Sequence, residues 1–206
     1  MSPVVQNIPN ILTVARMVLA PIFFILFVYD FIYLALLCFV IASVTDALDG
    51  FIARKYNLVS KFGELYDPLA DKILVFLGWV CMFINPPFNG QIYESYYISI
   101  LLSKALHLDP NYIIFFILLL LLLRDIITTT MREEKFRIDD IIIKTNYLAK
   151  AKTTMVIICI ILFITCKSSI LINNQYLLVL FDVSLYLTLF LSFASLIDYF
   201  RQYIRK

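Results

Sequence analysis

The chain has 206 residues, of which 62% are hydrophobic and 16% are charged, and its formal net charge is +2. Its mean hydropathy of +0.91 lies far outside the average for soluble domains and excludes a soluble enzyme. The basic residues form no soluble basic face, so nucleic-acid binding has no support. We expect a polytopic membrane protein surrounded by membrane lipids.

Six apolar stretches are long enough to cross about 30 Å of hydrocarbon. They lie near residues 10–29, 31–53, 66–86, 111–131, 149–167 and 177–199. The connections leave no room for a separate soluble domain. The sequence therefore predicts an all-α, six-helix transmembrane bundle, with residues 1–206 as one domain and a polar cavity that faces the cytoplasm.

The segments between the spans are marked by turn-forming residues. They are NPPFNG at residues 85–90, DPN at residues 109–111 and NN at residues 173–174. Between the first two, Tyr96 to Leu106 is apolar but too short to cross, and we interpret it as an interfacial helix. His107 follows this helix, far from the aspartates of residues 46–71, and we expect it to have no role in chemistry. The cysteines are expected to be core residues: Cys38, Cys81, Cys159 and Cys166.

The distribution of basic residues predicts the orientation of the spans. One side of the membrane holds only Lys104 and Lys167. The other side holds Arg54, Lys55, Lys61, Arg132, Lys135, Arg137, Lys144, Lys150, Lys152, Arg201, Arg205 and Lys206. Since positive charge stays inside, both termini are predicted to be cytoplasmic. The first segment lacks the features of a cleavable signal peptide and is expected to remain attached, which favours a bacterial cytoplasmic membrane over an organelle.

Four aspartates are concentrated at the cytoplasmic ends of the second and third spans: Asp46, Asp49, Asp67 and Asp71. A carboxylate at membrane depth costs roughly 2.5 to 3.5 kcal/mol on insertion scales, and crowding of like charge adds to that cost. A multivalent cation would neutralise the group. Hard cations such as Mg²⁺ or Mn²⁺ prefer oxygen ligands, and a pair of them suits phosphoryl chemistry. The alternative is a structural ion-pair network with Arg54, Lys55 and Lys72.

Helical spacing places these acids on two stripes that can face each other. The first stripe consists of Asp46, Asp49, Gly50 and Ala53, with Arg54 at its border. The second has three residues at steps of four: Gly63, Asp67 and Asp71. The small residues leave room for a substrate or for close packing of another helix.

Residues 46–71 resemble the signature of the CDP-alcohol phosphatidyltransferase family, D-x2-D-G-x2-A-R-x8-G-x3-D-x3-D, with every fixed letter and gap in place. The resemblance implies a membrane protein of six transmembrane helices, usually a homodimer, with two divalent metal ions. It also implies transfer of a phosphatidyl group from CDP-diacylglycerol to an alcohol, with release of CMP.

The same resemblance implies roles for individual residues. Asp46, Asp49 and Asp67 hold the metals, and Asp71 lies at the second metal or acts as general base on the acceptor hydroxyl. CDP-diacylglycerol is expected to contact Asn10, Thr13, Asp49, Gly50, Ala53, Arg54 and Gly63. Alternatively, Asn10, Thr13 and Arg16 cap and anchor the first helix.

The segments on either side of the signature resemble particular branches of the family. Residues 7–13, NIPNILT, with Arg16 look like the opening of phosphatidylglycerophosphate synthases and of cardiolipin synthases. Downstream, RDII at 124–127, MRE at 131–133 and KAKT at 150–153 are similar to the pattern of the former branch. One departure is Ala149, where that branch usually has glycine. The resemblance therefore implies glycerol 3-phosphate as the acceptor.

The downstream basic residues agree with an acceptor that carries its own phosphate. Arg124 ends an apolar run in which an unpaired guanidinium would be expensive. Together with Arg132, Lys150 and Lys152 it is predicted to form a phosphate clamp. Alternatively, the lysines anchor the next span at the lipid headgroups, and Arg124 pairs with Asp125 or another carboxylate of the bundle.

Two other functions remain open on the sequence. A cardiolipin synthase of the same family would use phosphatidylglycerol as acceptor and shares the signature. An ion-coupled transporter would use intramembrane carboxylates to bind cations or relay protons. Against a transporter, the sequence has no duplicated half, and its acids lie at one membrane face.

Overall fold

The computed structural model describes residues 3–56, 61–87, 98–139, 147–168 and 175–204. Every regular element in these ranges is an α-helix. The helices are α1 (Pro3–Val28), α2 (Ile32–Tyr56), α3 (Lys61–Ile84), α4 (Ile98–Leu106), α5 (Pro110–Asp139), α6 (Tyr147–Cys166) and α7 (Gln175–Ile204). The predicted all-α class is confirmed for this part of the chain.

Four helices contain a segment that is long and apolar enough to cross a membrane. These segments are Asn10–Val28, Pro110–Met131, Tyr147–Cys166 and Tyr176–Ile204. Within their described residues, α2 and α3 contain shorter apolar stretches, Ile32–Asp46 and Lys72–Ile84. The composition and these helices identify an integral membrane protein, whereas the count of six spans stays a prediction.

The chain divides into two compact units, and the first comprises Met1–Asn85 and Phe163–Asn173. Within it, α1 packs against both α2 and α3. The buried positions of α1 recur at alternating steps of three and four, the spacing of one helix face. They are Thr13, Arg16, Ala20, Phe23 and Phe27. One residue of this core stripe is therefore a charged arginine.

The corresponding stripe on α2 leads to the first signature aspartate. Ala35, Phe39 and Ala42 are fully buried, and Asp46 follows one turn later. The fully buried alanines permit close approach of neighbouring backbones. The rings of Phe23 and Phe39 pack with centroids 5.1 Å apart. Aromatic packing thus fixes the register of α1 against α2.

A tight connection joins α1 to α2. Asp30 has a left-handed backbone conformation with φ 64°. It follows the end of α1, at a position that is usually glycine. The Phe31 N–H donates to the Leu26 carbonyl at 2.9 Å, and the Asp30 N–H donates to the Phe27 carbonyl at 3.1 Å. These are the two hydrogen bonds of a Schellman motif. The chain reverses within a few residues, so α1 and α2 form a hairpin.

The second unit comprises Pro86–Leu162 and Asn174–Lys206, and in it α5 packs against α4 and α7. The start of α5 is defined by its cap, since the Asn111 N–H donates to Asp109 Oδ1 at 2.8 Å. Pro110 occupies the first helical position, where its missing N–H costs nothing. The predicted break at residues 109–111 is therefore confirmed. In the first half of α5 the buried apolar residues are Ile113, Ile114, Ile117, Leu118 and Leu121.

The short helix α4 is held at its N-terminus by a carboxylate from α7. Asp182 Oδ2 accepts hydrogen bonds from the backbone N–H of Ile98 at 2.6 Å and of Ser99 at 3.2 Å. The Ser99 hydroxyl donates to Asp182 Oδ1. Ser99 and Asp182 are buried, so the carboxylate satisfies amides that the helix itself leaves without partners. The predicted short helix exists, although it begins at Ile98 and Tyr96 lies outside the described residues.

The histidine and the cysteines have structural environments. His107 has φ 54° and ends α4, and the next amide, that of Leu108, donates to the Ser103 carbonyl at 3.1 Å. His107 therefore acts through its backbone conformation at a helix end. The cysteines are buried free thiols, which confirms that they are core residues: Cys38, Cys81, Cys159 and Cys166.

Candidate functional site

The signature residues lie on two consecutive helices of the first unit. α2 carries Asp46, Asp49, Gly50, Ala53 and Arg54, and α3 carries Gly63, Asp67 and Asp71. α2 and α3 contact each other, and both pack against α1. The predicted placement on two neighbouring helices is thus observed. Apart from Asp46, the side chains of this set lie outside the described part of the structure.

Asp46 is bound to a buried arginine of α1. Arg16 Nη1 lies 2.5 Å from Asp46 Oδ1, and the arginine side chain is 0% exposed whereas that of the aspartate is 36% exposed. A guanidinium on a core stripe requires an anion, because an isolated buried charge is strongly disfavoured. Asp46 supplies that anion while keeping one side toward solvent.

This ion pair is compatible with a metal role for Asp46. A carboxylate has two oxygens and about four acceptor positions, so one aspartate can bind a guanidinium and a cation together. Among the side chains that the structure describes, no group of three or more His, Cys, Asp or Glu residues is close enough to hold a metal. The predicted group depends on Asp49, Asp67 and Asp71, whose side chains lie outside that description.

The α1 residues that are predicted to contact CDP-diacylglycerol lie close to Arg16 in sequence. Thr13 is fully buried on the same stripe as Arg16, and Asn10 is half-buried one turn earlier. On α3, Lys72 is exposed. Thr13 and Asn10 thus lie on the part of α1 that leads to the Arg16–Asp46 pair.

In the second unit, two cations meet on one carboxylate oxygen. Arg124 Nη1 donates to Asp125 Oδ1 at 2.8 Å, and Lys152 Nζ donates to the same oxygen at 2.5 Å. We refer to Arg124, Asp125 and Lys152 as the charge cluster. Arg124 is 6% exposed, and the side chain of Asp125 is 37% exposed. The alternative in which Arg124 pairs with Asp125 is therefore observed.

α7 holds the guanidinium of Arg124 from its other side. Nε donates to the Ser192 carbonyl at 3.0 Å, and Nη2 donates to the Ser195 hydroxyl. The Arg124 Cζ atom lies 5.9 Å from the centroid of the Tyr199 ring. Positions 192, 195 and 199 recur at steps of three and four, so one face of α7 provides all these contacts. The arginine orientation is thus determined by two helices.

The structure distinguishes the two predicted lysines of α6. Lys152 is half-buried in the charge cluster, whereas Lys150 is exposed with its ammonium 6.0 Å from the ring centroid of Tyr147. Residues two apart on a helix are about 200° apart, so they cannot share a face. The structure assigns Lys152 to the cluster and does not bring Lys150 to it. The side chain of Arg132 lies outside the described part.

The charge cluster combines two kinds of cationic donor. Its formal charges sum to one positive unit, and a forked guanidinium and an ammonium converge on a single oxygen. Phosphate oxygens are bound in proteins by the same combination of forked and point-charge donors. Asp125, whose side chain is partly exposed, supplies one anionic oxygen to both cations.

Sequence reasoning missed three sets of contacts: the pairing of Arg16 with Asp46, the α7 contacts to Arg124, and the Asp182 cap. A signal existed for each. Arg16 and Asp182 are single charges within apolar runs, which indicates a buried partner. Ser192 and Ser195 stand one turn apart in the last span, where small polar residues often mark a helix contact.

Comparison with known proteins identifies a family over most of the chain. The profile of the CDP-alcohol phosphatidyltransferase family matches residues 6–194. This match includes the signature on α2 and α3, the charge cluster, and Ser192 on α7.

Curated relatives match smaller parts of the chain. A CDP-diacylglycerol–glycerol-3-phosphate 3-phosphatidyltransferase of Rickettsia typhi is 51% identical over 73 residues, which are 34% of this chain and 41% of that protein. The protein of the same name from Pectobacterium atrosepticum is 38% identical over 97 residues, 46% of this chain and 50% of that protein. The one from Salmonella typhimurium is 36% identical over 97 residues, again 46% and 50%. The matched segments thus span half or less of these relatives.

Proposed function

Because the chain belongs to the CDP-alcohol phosphatidyltransferase family, we propose that it transfers a phosphatidyl group from CDP-diacylglycerol to sn-glycerol 3-phosphate. The products are phosphatidylglycerophosphate and CMP. The observation that carries the proposal is the complete signature on two packed helices, α2 and α3. The names of the relatives from Rickettsia and Pectobacterium support the choice of acceptor.

Two divalent cations, Mg²⁺ or Mn²⁺, are part of this proposal. The donor set fits them, since four aspartates on adjacent helices supply hard oxygen ligands. Asp46 fits in a further way, because the buried Arg16 holds one of its oxygens in place. The residues that would hold the ions are Asp46, Asp49, Asp67 and Asp71. When bound, the ions would neutralise the donor pyrophosphate and stabilise the departing CMP.

Asp71 is the proposed general base. The acceptor hydroxyl gives its proton to the Asp71 carboxylate and attacks the phosphorus that carries the diacylglycerol, and the bond to CMP breaks. Displacement of this kind depends mostly on positioning and charge stabilisation. A positioned base contributes about 10² to 10⁴-fold to the rate.

The proposed donor site lines the cytoplasmic end of the first unit. The nucleotide of CDP-diacylglycerol would contact Asn10 and Thr13 of α1 and the signature residues Asp49, Gly50, Ala53, Arg54 and Gly63. Glycine and alanine at these positions would let the pyrophosphate approach the helix backbones closely. The burial of Thr13 beside Arg16 supports an ordered α1 in this region.

The proposed acceptor site is centred on the charge cluster. Arg124 and Lys152 would bind the phosphate of glycerol 3-phosphate, and Arg132, two turns beyond Arg124, would add a further donor. Lys150 would act from the exposed face of α6, where its ammonium can attract an anionic acceptor or lipid headgroup. The convergence of two cations on one oxygen supports this assignment.

The proposed topology has six spans, a single domain over residues 1–206 and both termini in the cytoplasm. α2 and α3 have 25 and 24 residues. At about 1.5 Å per residue, either is longer than the hydrocarbon core. The proposed location is the bacterial cytoplasmic membrane, and the proposed assembly is a homodimer, as the family resemblance implies.

The reaction is tested by release of CMP from CDP-diacylglycerol in the presence of Mg²⁺, with purified protein and one acceptor at a time. We expect CMP with glycerol 3-phosphate and little with glycerol or phosphatidylglycerol. Release with phosphatidylglycerol alone would instead identify a cardiolipin synthase. Cation-dependent uptake into vesicles without CMP release would identify a transporter and overturn the proposal.

A further inference from the structure

We propose that Ser195 is a positioning residue that fixes the Arg124 guanidinium for the phosphate of the acceptor, an inference that rests on the proposed function. Ser195 lies on α7, outside the signature and outside the segment matched by the family profile, which ends at residue 194. Its role would be indirect, because it contacts the arginine and not the reacting atoms.

The direction of the hydrogen bonds supports this role. The Ser195 hydroxyl donates its proton to the Ser192 carbonyl at 3.0 Å. A hydroxyl has one proton and two lone pairs, so toward Arg124 it acts as an acceptor. Arg124 Nη2 donates to it. Ser195 is thus committed as a fixed acceptor for one nitrogen of the guanidinium.

The remaining contacts hold the plane of the guanidinium. Nε donates to the Ser192 carbonyl at 3.0 Å, and Nη1 donates to Asp125 at 2.8 Å. Each of the three nitrogens therefore has one anchored N–H. The second N–H of each Nη can serve a further acceptor such as a phosphate oxygen. Loss of the Ser195 contact would remove one of the three bonds that orient these nitrogens.

Burial makes the Ser195 hydroxyl difficult to replace. Ser195 is 1% exposed and Ser192 is 0% exposed, so bulk water does not reach this side of the guanidinium. When a buried donor loses its partner, no solvent molecule compensates for the loss. The cost is larger for a charged donor than for a neutral one. The substitution Ser195→Ala should therefore displace Arg124.

The test compares three substitutions of Ser195 with one control on the same helix. Ser195→Ala removes the acceptor, Ser195→Thr keeps the hydroxyl, and Ser195→Cys keeps the size but is a weak acceptor. The control is Ser184→Ala, which removes a buried hydroxyl that donates to the Phe181 carbonyl of its own helix at 2.7 Å. CMP release is measured against each substrate in turn, with the other saturating.

For Ser195→Ala we expect a rise of roughly ten-fold in the KM for glycerol 3-phosphate, the factor for loss of one charge-assisted hydrogen bond. The kcat and the KM for CDP-diacylglycerol should change less than about two-fold, because interactions with the donor are not altered. Ser195→Thr should restore the KM, Ser195→Cys should give an intermediate value, and Ser184→Ala should behave as wild type.

Four results would overturn the inference. An unchanged KM for glycerol 3-phosphate in Ser195→Ala would leave the proposed function intact but remove Ser195 from it. Equal losses for both substrates, or equal effects of Ser195→Ala and Ser184→Ala, would indicate a general packing role. If wild-type protein released no CMP with glycerol 3-phosphate, the proposed function would fail first, and this inference would fail with it. Where Ser195→Ala does not fold, the comparison of Ser195→Cys with Ser195→Thr decides.

Discussion

Arg16 and Asp46 pair across the α1–α2 hairpin, with 2.5 Å between Nη1 and Oδ1. The rings of Phe23 and Phe39 pack across the same hairpin, two helical turns closer to its connection on each helix. The ion pair and the aromatic pair therefore share one register. The first aspartate of the signature is thus oriented by the core of the first unit.

The two members of this pair should have unequal effects on stability. Asp46→Ala removes the carboxylate that pairs with the buried Arg16, and the cost is at most about 3 to 5 kcal/mol, the range for a fully buried pair. Arg16→Met removes the buried charge itself and leaves a partly exposed carboxylate that water can solvate. We expect the melting temperature, measured in detergent with a chelator present, to be highest for wild type, lower for Arg16→Met and lowest for Asp46→Ala.

The double variant Arg16→Met with Asp46→Ala should melt above Asp46→Ala alone, because it also removes the buried guanidinium whose interaction with Asp46 is lost. A matched control is Ser43→Ala, which removes a hydroxyl that donates to the Phe39 carbonyl of its own helix at 2.9 Å. Its effect should add to that of Arg16→Met. Additivity for Asp46→Ala as well would contradict a coupled pair.

Asp71→Asn should abolish turnover while leaving the protein folded and able to bind CDP-diacylglycerol. The amide cannot accept the proton of the acceptor hydroxyl, and it is a weaker ligand for a cation than a carboxylate. CMP release and retention of the radiolabelled liponucleotide are measured on the same preparation. A rate like that of wild type in this variant would rule out Asp71 as the base.

Features that depend on neighbouring residues could be predicted from the sequence, whereas contacts between distant residues could not. The helices, the DPN break before α5 and the placement of the signature on α2 and α3 all follow from composition, capping and spacing over a few residues. The pairing of Arg16 with Asp46 depends on the connection at Asp30, where an aspartate adopts a conformation usual for glycine. The contact between Arg124 and Ser195 joins residues of two helices far apart in the chain. A helical period states which face is buried but not which helix covers it.

Removal of divalent ions should lower stability as well as activity. In the proposed metal site, the four carboxylates would repel one another without cations, since like charges that share a site oppose folding. We expect EDTA to abolish CMP release and to lower the melting temperature, and Mg²⁺ or Mn²⁺ to restore both. An ion at 100 times its Kd stabilises the folded state by about 2.7 kcal/mol. Asp67→Asn should lose most of this ion-induced shift; an unchanged shift would place the ion elsewhere.

The two lysines at the start of α6 provide a direct test of the acceptor site. Lys152→Ala removes one of the two cations that meet on Asp125, and we expect the KM for glycerol 3-phosphate to rise about ten-fold or more. Lys150→Ala removes an exposed charge of the same helix, and its effect should stay within about three-fold, because exposed charges are screened. Kinetics at varied acceptor concentration separate the two. Equal effects of both substitutions would argue for long-range attraction and against a defined site at Lys152.

Asp182 should control the order of α4 without controlling the reaction. Its carboxylate accepts from the amides of Ile98 and Ser99, so Asp182→Ala leaves the first turn of α4 without its cap. The expected result is hydrogen–deuterium exchange at least about ten-fold faster in Ile98–Leu106, since local opening follows the loss of the anchoring bonds. Lys104→Ala, an exposed substitution on the same helix, is the control and should leave exchange unchanged. Because α4 carries none of the proposed substrate ligands, CMP release should remain close to wild type; a large loss of activity would show that this anchor also supports the charge cluster through α5 or α7.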